Sequence, residues 1–326
     1  MFTSVRPLNR ILPLKSFVNL GKMSSSTKTV HPTSLNSFNS NHSLYDRVRP
    51  DFDPQFVTKF LGDLGLVSKK NDRLGEVTFN NKKDILELAA GTGKFTKKLI
   101  AAGWSSTNLK IIEPSVGMIE SFQKNFPQVD AKVGSSYEIP LEDSSVDAVI
   151  VAQGFHWFSD KNSLQEISRV LKPNGKLGLI WNFDSTGNNS SLAQSGQDLG
   201  LTQLEIDKKY GWEKIAKLAQ DFDDEVPQYR KGEWRTAFQN QSFFKNDSVC
   251  NQFIHRFEKF DVDLVYDYWL SRSYITKLPD NEKAKLKAQQ DELISQLPDA
   301  SFVEGSDKKQ LNQFLGSEYF VITPNK

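Results

Sequence analysis

Two glycines one residue apart close an apolar run in ILELAAGTGKFT, residues 85–96. Ile85, Leu86 and Leu88 read as a short buried strand, while Phe95, Leu99 and Ile100 mark the apolar stripe of a helix behind the glycines. The alternation continues downstream. The pattern predicts a strand over 109–113, a helix over 115–126, strands over 130–134 and 146–153, a helix over 161–171 and a fifth strand over 175–182. Pro173, Asn174 and Gly175 supply the helix stop before that last strand. Strands alternating with helices of about 10–15 residues build α/β units into a doubly wound, mostly parallel sheet. Such sheets bind ligands at the carboxyl ends of their strands.

The flanks carry weaker patterns. Phe56, Phe60, Leu61 and Leu64 recur at helical spacing after Asp53-Pro54, so 44–66 reads as helical, and the polar stretch 68–83 reads as a connection. Beyond Asn182 the rhythm breaks. A helix is expected over 201–222, with Leu201, Leu204, Tyr210, Trp212, Ile215 and Leu218. A strand is expected over 248–260, helices over 261–275 and 280–296, and a closing strand in EYFVITP, 318–324. The terminal strands complete a seven-stranded sheet. The expected organisation is one domain over 43–326: a core at 83–182, a helical cap insertion at about 183–245, and C-terminal helices and strands over 246–326.

With 25% charged residues and a net charge of +1, the chain is neither a general nucleic-acid binder nor a membrane-surface binder. No apolar stretch reaches the roughly 18 residues of a membrane span. The lone Cys250 excludes an internal disulfide and any cysteine-based metal cluster, and His31, His42, His156 and His255 lack metal-ligand spacing. No metal is expected. Residues 1–45 contain Arg6, Arg10, Lys15, Lys22 and Lys28 but no acid, so the remainder carries four net negative charges (1 − 5 = −4). An acid-free, Arg-bearing, Ser-rich start reads either as a mitochondrial transit peptide or as a disordered extension ahead of a true start at Met23. Pro7 and Pro13 interrupt the amphipathic helix that a transit peptide forms. A cytoplasmic location is expected, with a mitochondrial one as the alternative, and 1–42 is set aside as leader.

Three cofactor loops compete for ILELAAGTGKFT. The phosphate loop G-x-x-x-x-G-K-[ST] needs Gly at Leu88 and Ser or Thr at Phe95, and has neither. Lys94 then reads as a solvated residue of the first helical turn. A dinucleotide fingerprint puts its third glycine at Thr96 or Lys94, and a lysine there blocks close helix–strand packing. What remains is Glu87 at the strand end, the small-residue turn Ala89-Ala90-Gly91-Thr92-Gly93, and Glu113 twenty residues after Gly93. A carboxylate at Glu113 suits the hydroxyl pair of a ribose. An anion at Glu87 repels a pyrophosphate but attracts an ammonium or a sulfonium. The combination favours S-adenosylmethionine over NAD.

The chain resembles the class I S-adenosylmethionine-dependent methyltransferases at four successive blocks within 85–182. ILELAAGTGKFT is similar to their first motif, and IIEPSVGMI to their second strand. VGSSYEIPLEDSSVDAVIVAQGFHWF resembles the third-strand loop and fourth strand, and EISRVLKPNGKLGLIWN the helix and strand that follow. NHSLYDRVRP, QGFHWF, LIWN and LSRSYITKLP extend the likeness toward the small-molecule branch that includes the trans-aconitate and fungal cantharidin-resistance methyltransferases. The resemblance implies a Rossmann-like fold and methyl transfer from S-adenosyl-L-methionine to a small molecule, at oxygen, with a carboxylate among the candidate acceptors. A quinone-precursor methyltransferase in mitochondria and a non-catalytic cofactor-binding protein stay open as alternatives.

The resemblance places Glu87, Ala89, Gly91, Gly93 and Glu113 on the cofactor. Ala89 stands where many members have glycine, and Ser135 where many have aspartate, leaving Ser135, Ser136 and backbone groups for adenine. Met118 either covers adenine or fills the core. Gln153 ends the fourth strand beside the methionine moiety. Tyr45 and Arg49 either fold over the cofactor, or Arg49 forms a surface basic pair with Arg47. His156 and Trp157 are the catalytic candidates, His156 as a base or carboxylate anchor and Trp157 as an apolar wall near the sulfonium. The competing reading is a packed aromatic corner. Trp181, Asn182, Trp212, Trp234, Trp269 and Tyr274 either line the acceptor pocket or fill the cap, and Arg272 is a second carboxylate anchor.

Overall fold

The computed structural model describes residues 30–31, 42–71, 76–184, 201–223, 226–247, 249–297, 300–303 and 306–326. Most of the predicted leader and residues 185–200 of the predicted cap lie outside this set. Helix α1, His42–Val48, ends at the segment Arg49–Asp53, and α2, Pro54–Asp63, starts beyond it. The single helix expected over 44–66 is therefore two. Pro50 and Pro54 each push the preceding residue out of helical geometry, and Asp53 caps α2 by accepting the Phe56 N–H at 2.7 Å. The polar stretch 68–83 is not a plain connection. It contains an antiparallel hairpin, β1 Val67–Asn71 with β2 Glu76–Phe79.

The alternating core follows: β3 Ile85–Leu88, α3 Thr96–Ala101, β4 Leu109–Glu113, α4 Val116–Asn125, β5 Asp130–Val133, β6 Val146–Ala152, α5 Lys161–Val170 and β7 Leu171–Asp184. β7 starts four residues earlier and ends two later than the expected 175–182. Ser115 caps α4 and Asp160 caps α5 through backbone N–H groups of their first turns. Next come α6 Gln203–Gln220, entered by a Thr202/Glu205 capping box, and β8 Cys250–Asp261. The helix expected over 261–275 is a short turn at Val262–Leu264 and two brief helices, α7 Val265–Leu270 and α8 Ser273–Thr276. α9, Asp280–Ser295, leads to β9 Ser301–Phe302 and to β10 Lys309–Ile322, which begins nine residues before the expected closing strand.

The sheet order is β5-β4-β3-β6-β7-β10-β8, with β9 added on β10. The first five strands pair in parallel, and β10 pairs antiparallel with both β7 and β8. The fold is thus a doubly wound, mostly parallel seven-stranded methyltransferase sheet with helical additions. Alternate residues of each strand serve opposite faces. Ala148 and Ile150 of β6 pack with Phe56, Phe60, Leu99 and Phe122 of α2–α4, while Val149 and Val151 pack with Leu164 and Ile167 of α5. A third cluster joins Trp212 and Ile215 of α6, Tyr268 and Trp269 of α7, Leu286 of α9 and Phe314 of β10. The order reverses at β3, so the carboxyl ends of β3 and β6 open a crevice there.

Candidate active site

The loop after β3 enters the crevice through three left-handed residues, Ala89 (φ 58°), Gly91 (φ 59°) and Gly93 (φ 88°). A Cβ on Gly93 would lie 2.5 Å from the Phe126 ring and 2.8 Å from Phe122, so this position tolerates only glycine. Ala89 adopts the same region at a cost of about 1–2 kcal/mol. Its departure from glycine is therefore more than a crowding methyl. At Gly91 a Cβ would meet only Met118 Sδ at 3.9 Å, which leaves the loop's outer side open to a ligand.

Glu113 fixes this loop to the next helix. Its Oε2 accepts the Gly91 N–H at 3.0 Å and its Oε1 the Ser115 N–H at 2.9 Å. Each oxygen keeps a lone pair for further donors. Burial pushes the carboxyl up to about 7, against the lowering effect of the two backbone bonds. Glu87 is 1% exposed and lies beneath the loop. Its Oε2 accepts the Thr96 hydroxyl at 2.5 Å, whereas Oε1 is buried with no partner. Burial raises its pKa to about 8, opposed by Thr96 and assisted by Glu113. Burial thus favours the neutral acid over the anion expected from the sequence.

Residues ahead of the sheet fold over the same loop. Thr92 donates its hydroxyl to Asp46, and the Lys94 ammonium donates to the backbone carbonyls of Asp46 (3.1 Å) and Arg49 (2.6 Å). Lys94 is half-buried and not the solvated residue expected, because those carbonyls just after and within the last turn of α1 need a donor. Arg49 reaches across the cavity to the Ser271 carbonyl at 3.0 Å, between the rings of Tyr45 and Tyr268. Its Nε is buried without a partner.

One cavity, with about 190 Å³ of room for water-sized bodies, joins these groups. Glu87, Ala89, Gly91, Glu113, Met118, Ser135, Ser136, Gln153, Tyr45, Arg49, His156 and Trp157 all line it. Gly93 stands behind the loop and does not. Ser136 is buried and shares a 2.8 Å hydrogen bond with Ser163, and Ser135 accepts the Tyr137 N–H at 3.2 Å. Gln153 (φ 65°) donates its side-chain amide to the Asn182 carbonyl at 2.9 Å.

On the far side, Asp184 at the end of β7 accepts from Tyr268 Oη (2.7 Å), Trp212 Nε1 (3.1 Å) and Arg272. Trp181 Nε1 donates to His156 Nδ1 at 3.4 Å, so His156 carries its proton on Nε2. Burial, then the Arg272 charge, lowers His156 to about 3. Trp181, Trp212 and Trp269 are buried in the packing clusters and do not line the cavity, whereas Asn182, Arg272 and Tyr274 do. Trp234 stacks on Trp181 at 4.8 Å, outside the cavity.

The sequence reading missed Asp184, Tyr268, Asp46 and Thr92. Asp184 carried a signal, since it sits at the carboxyl end of a strand whose end was placed too early. It also set aside all of 1–42 as leader. Val30 and His31 line the cavity, so that exclusion fails for these two residues.

Residues 86–179 match the family model for a methyltransferase domain. An uncharacterized methyltransferase of Schizosaccharomyces pombe is 34% identical over 286 residues, covering 88% of this chain and 98% of that protein. The chain belongs to the S-adenosylmethionine-dependent methyltransferases. Its activity is that of a small-molecule methyltransferase, and S-adenosyl-L-methionine is its cofactor. A demethylmenaquinone methyltransferase of Thermotoga maritima is 32% identical over 141 residues, 42% of this chain and 59% of that one. A solved structure from Anaeromyxobacter dehalogenans, provisionally assigned as a type II methyltransferase, shares the fold with a TM-score of 0.52. Its identity is 16%, and the match covers 84% of this chain and 97% of that one.

The cavity fits the cofactor of this methyltransferase. Glu87 offers a buried oxygen without a partner, Glu113 offers two oxygens with spare lone pairs, and the outer side of Gly91 is open. Among the described residues no helix is long and apolar enough to cross a membrane.

Proposed function

We propose that the enzyme methylates a small acceptor that is already nucleophilic when it binds, a carboxylate or another ionised oxygen. The observation that carries this reading is the state of the acceptor side. Burial holds His156 neutral and pushes the Tyr268 and Tyr274 hydroxyls up, while Asp184 is occupied by three donors. His156 is thus a weak base with its Nδ1 taken by the Trp181 indole, and the Asp184 oxygens are taken by donors, so no free general base faces the acceptor. S-Adenosylmethionine supplies an electrophilic methyl group on a sulfonium. The protein's part is positioning, which by itself accounts for large rate factors.

In this reading Glu113 takes the ribose hydroxyls, and Met118, Ser135 and Ser136 surround the adenine. Glu87 faces the cationic end, Ala89, Gly91 and Gly93 shape the turn, and Gln153, Tyr45 and Arg49 surround the methionine moiety. His156 donates from Nε2, Trp157 walls the acceptor, and the Arg272 Nε, buried and unpartnered, anchors an acceptor anion. The likeness of LSRSYITKLP to the trans-aconitate and cantharidin-resistance enzymes supports a carboxylate.

The relatives support a second reading, a quinone precursor, better than they support a carboxylate: the Thermotoga maritima relative is named for demethylmenaquinone as substrate. Its 141-residue match covers less than half of this chain. The basic leader supports a mitochondrial form of this reading, against the cytoplasmic one, and imaging of a fluorescent fusion distinguishes the two.

The test is methyl transfer from labelled cofactor to a panel of di- and tricarboxylates and of hydroxylated quinone precursors. His156→Gln is expected to lower kcat by less than about tenfold, because a lost general base costs about 10²–10⁴. A loss above a hundredfold, with a wild-type pH profile titrating near 6.5, would overturn the no-base reading.

A further inference from the structure

Val30 and His31 lie ahead of the methyltransferase sheet, yet both are half-buried and line the cavity. The His31 imidazole sits 5.4 Å from the Trp157 indole at an interplanar angle of 51°. Trp157 is in turn 5.3 Å from His156, and His156 accepts from Trp181. A row of four rings thus runs from the segment before α1 to the end of β7. Three of its members belong to the sheet and its loops, and the fourth comes from a part of the chain that composition alone marks as leader.

We propose that His31 is a specificity-determining residue of the active site, closing the acceptor side by covering the Trp157 face. Three observations support it. Trp157 follows β6 at the switch point of the sheet, where the acceptor has to meet the methyl group. The ring pair is within the 4.5–7 Å range at which aromatic contacts contribute beyond simple burial. Trp157 packs as well on the cluster that carries Tyr268 and Tyr274, so the His31 contact spans two walls of the same cavity.

The inference has a consequence for processing. A start at Met23, or any cleavage before Val30, retains the ring. Cleavage at 42 removes it and yields an enzyme with a wider acceptor side.

The inference rests on the cofactor occupying this cavity, and the experiment separates the two. In the full chain, two quantities are measured for wild type, His31→Ala, His31→Phe, Trp157→Ala and the His31→Ala/Trp157→Ala double variant. One is the ranking of methyl-transfer rates across the panel of small carboxylates and larger quinone precursors, and the other is the release rate of S-adenosylhomocysteine by stopped-flow fluorescence. The ranking is expected to shift toward the larger acceptors in His31→Ala, and its constancy would overturn the proposal. Loss of the ring contact is expected to speed release about threefold to tenfold in His31→Ala. His31→Phe is expected to restore the wild-type rate, and the double variant to be no faster than Trp157→Ala alone. Wild-type release in His31→Ala, or full additivity in the double variant, overturns the proposal. Absence of S-adenosylhomocysteine binding to the wild-type chain would overturn the cofactor placement instead.

Discussion

The two sides of the cavity are held together in opposite ways. On the cofactor side the contacts of the two buried acids are local: Glu87 to Thr96 spans nine residues, Gly91 to Glu113 twenty-two, and Ser115 to Glu113 two. On the acceptor side the contacts join distant parts of the chain. Tyr268 to Asp184 spans 84 residues, and Arg272 to Asp184 spans 88. The cofactor side is a feature of one strand–loop–helix unit and its neighbour. The acceptor side exists only once the C-terminal helices dock. Within one cavity, binding of a common cofactor and choice of a particular acceptor thus rest on different levels of structure.

Substitutions test that division, the largest expected effect first. Gly93→Ala sets a Cβ 2.5 Å from Phe126 at φ 88°, so unfolding is expected to become easier by about 3 kcal/mol, read by urea denaturation. A loss below 1 kcal/mol would mean the loop shifts freely and is not the rigid half. Glu113→Ala leaves the Gly91 and Ser115 N–H groups without their acceptor. Cofactor affinity is expected to fall at least tenfold, on the order of 1.4 kcal/mol or more, in calorimetry. An unchanged Kd removes Glu113 from the site.

The third test uses pH. In the free protein Glu87 is neutral below about 8, and binding a cation requires its carboxylate. Affinity is therefore expected to rise with pH, by up to about tenfold between 6.5 and 7.5, as the cost of removing the proton shrinks. Glu87→Gln should flatten the profile, and a flat wild-type profile would put the cationic end of the cofactor elsewhere. The smallest effect is expected on the other side. Tyr268→Phe removes one of three donors to Asp184 and should cost about 1 kcal/mol in stability. It should raise the acceptor KM and leave cofactor affinity unchanged. A matching drop in cofactor affinity would mean the two sides are one coupled unit.

The same division explains what could be read beforehand. The parallel strands, the glycine turn and the pair Glu87 and Glu113 were legible because their partners lie within one α/β unit, where spacing determines neighbourhood. Asp184 and Tyr268 were not, since nothing local links the end of β7 to α7. Lys94 looked solvated because its acceptors are carbonyls 45 and 48 residues upstream, and a carbonyl leaves no mark on composition. The β1–β2 hairpin escaped because its strands, VSKKN and EVTF, show little apolar alternation. His31 belongs to no periodic pattern, and its ring contact with Trp157 joins residues 126 positions apart.

The placement of β10 between β7 and β8 bears on synthesis. Strand β8 leaves the ribosome long before β10, the strand that joins it to the rest of the sheet among the described residues. Until Lys309–Ile322 follows, the β7 edge stands open beside Trp181 and Phe183, with the eight residues Leu177–Asp184 unpaired on that side. A nascent chain in that state is a template for other strands. Its window of vulnerability is the time taken to translate β8 through β10, so shielding of nascent chains, more than equilibrium stability, is expected to govern how much active enzyme accumulates.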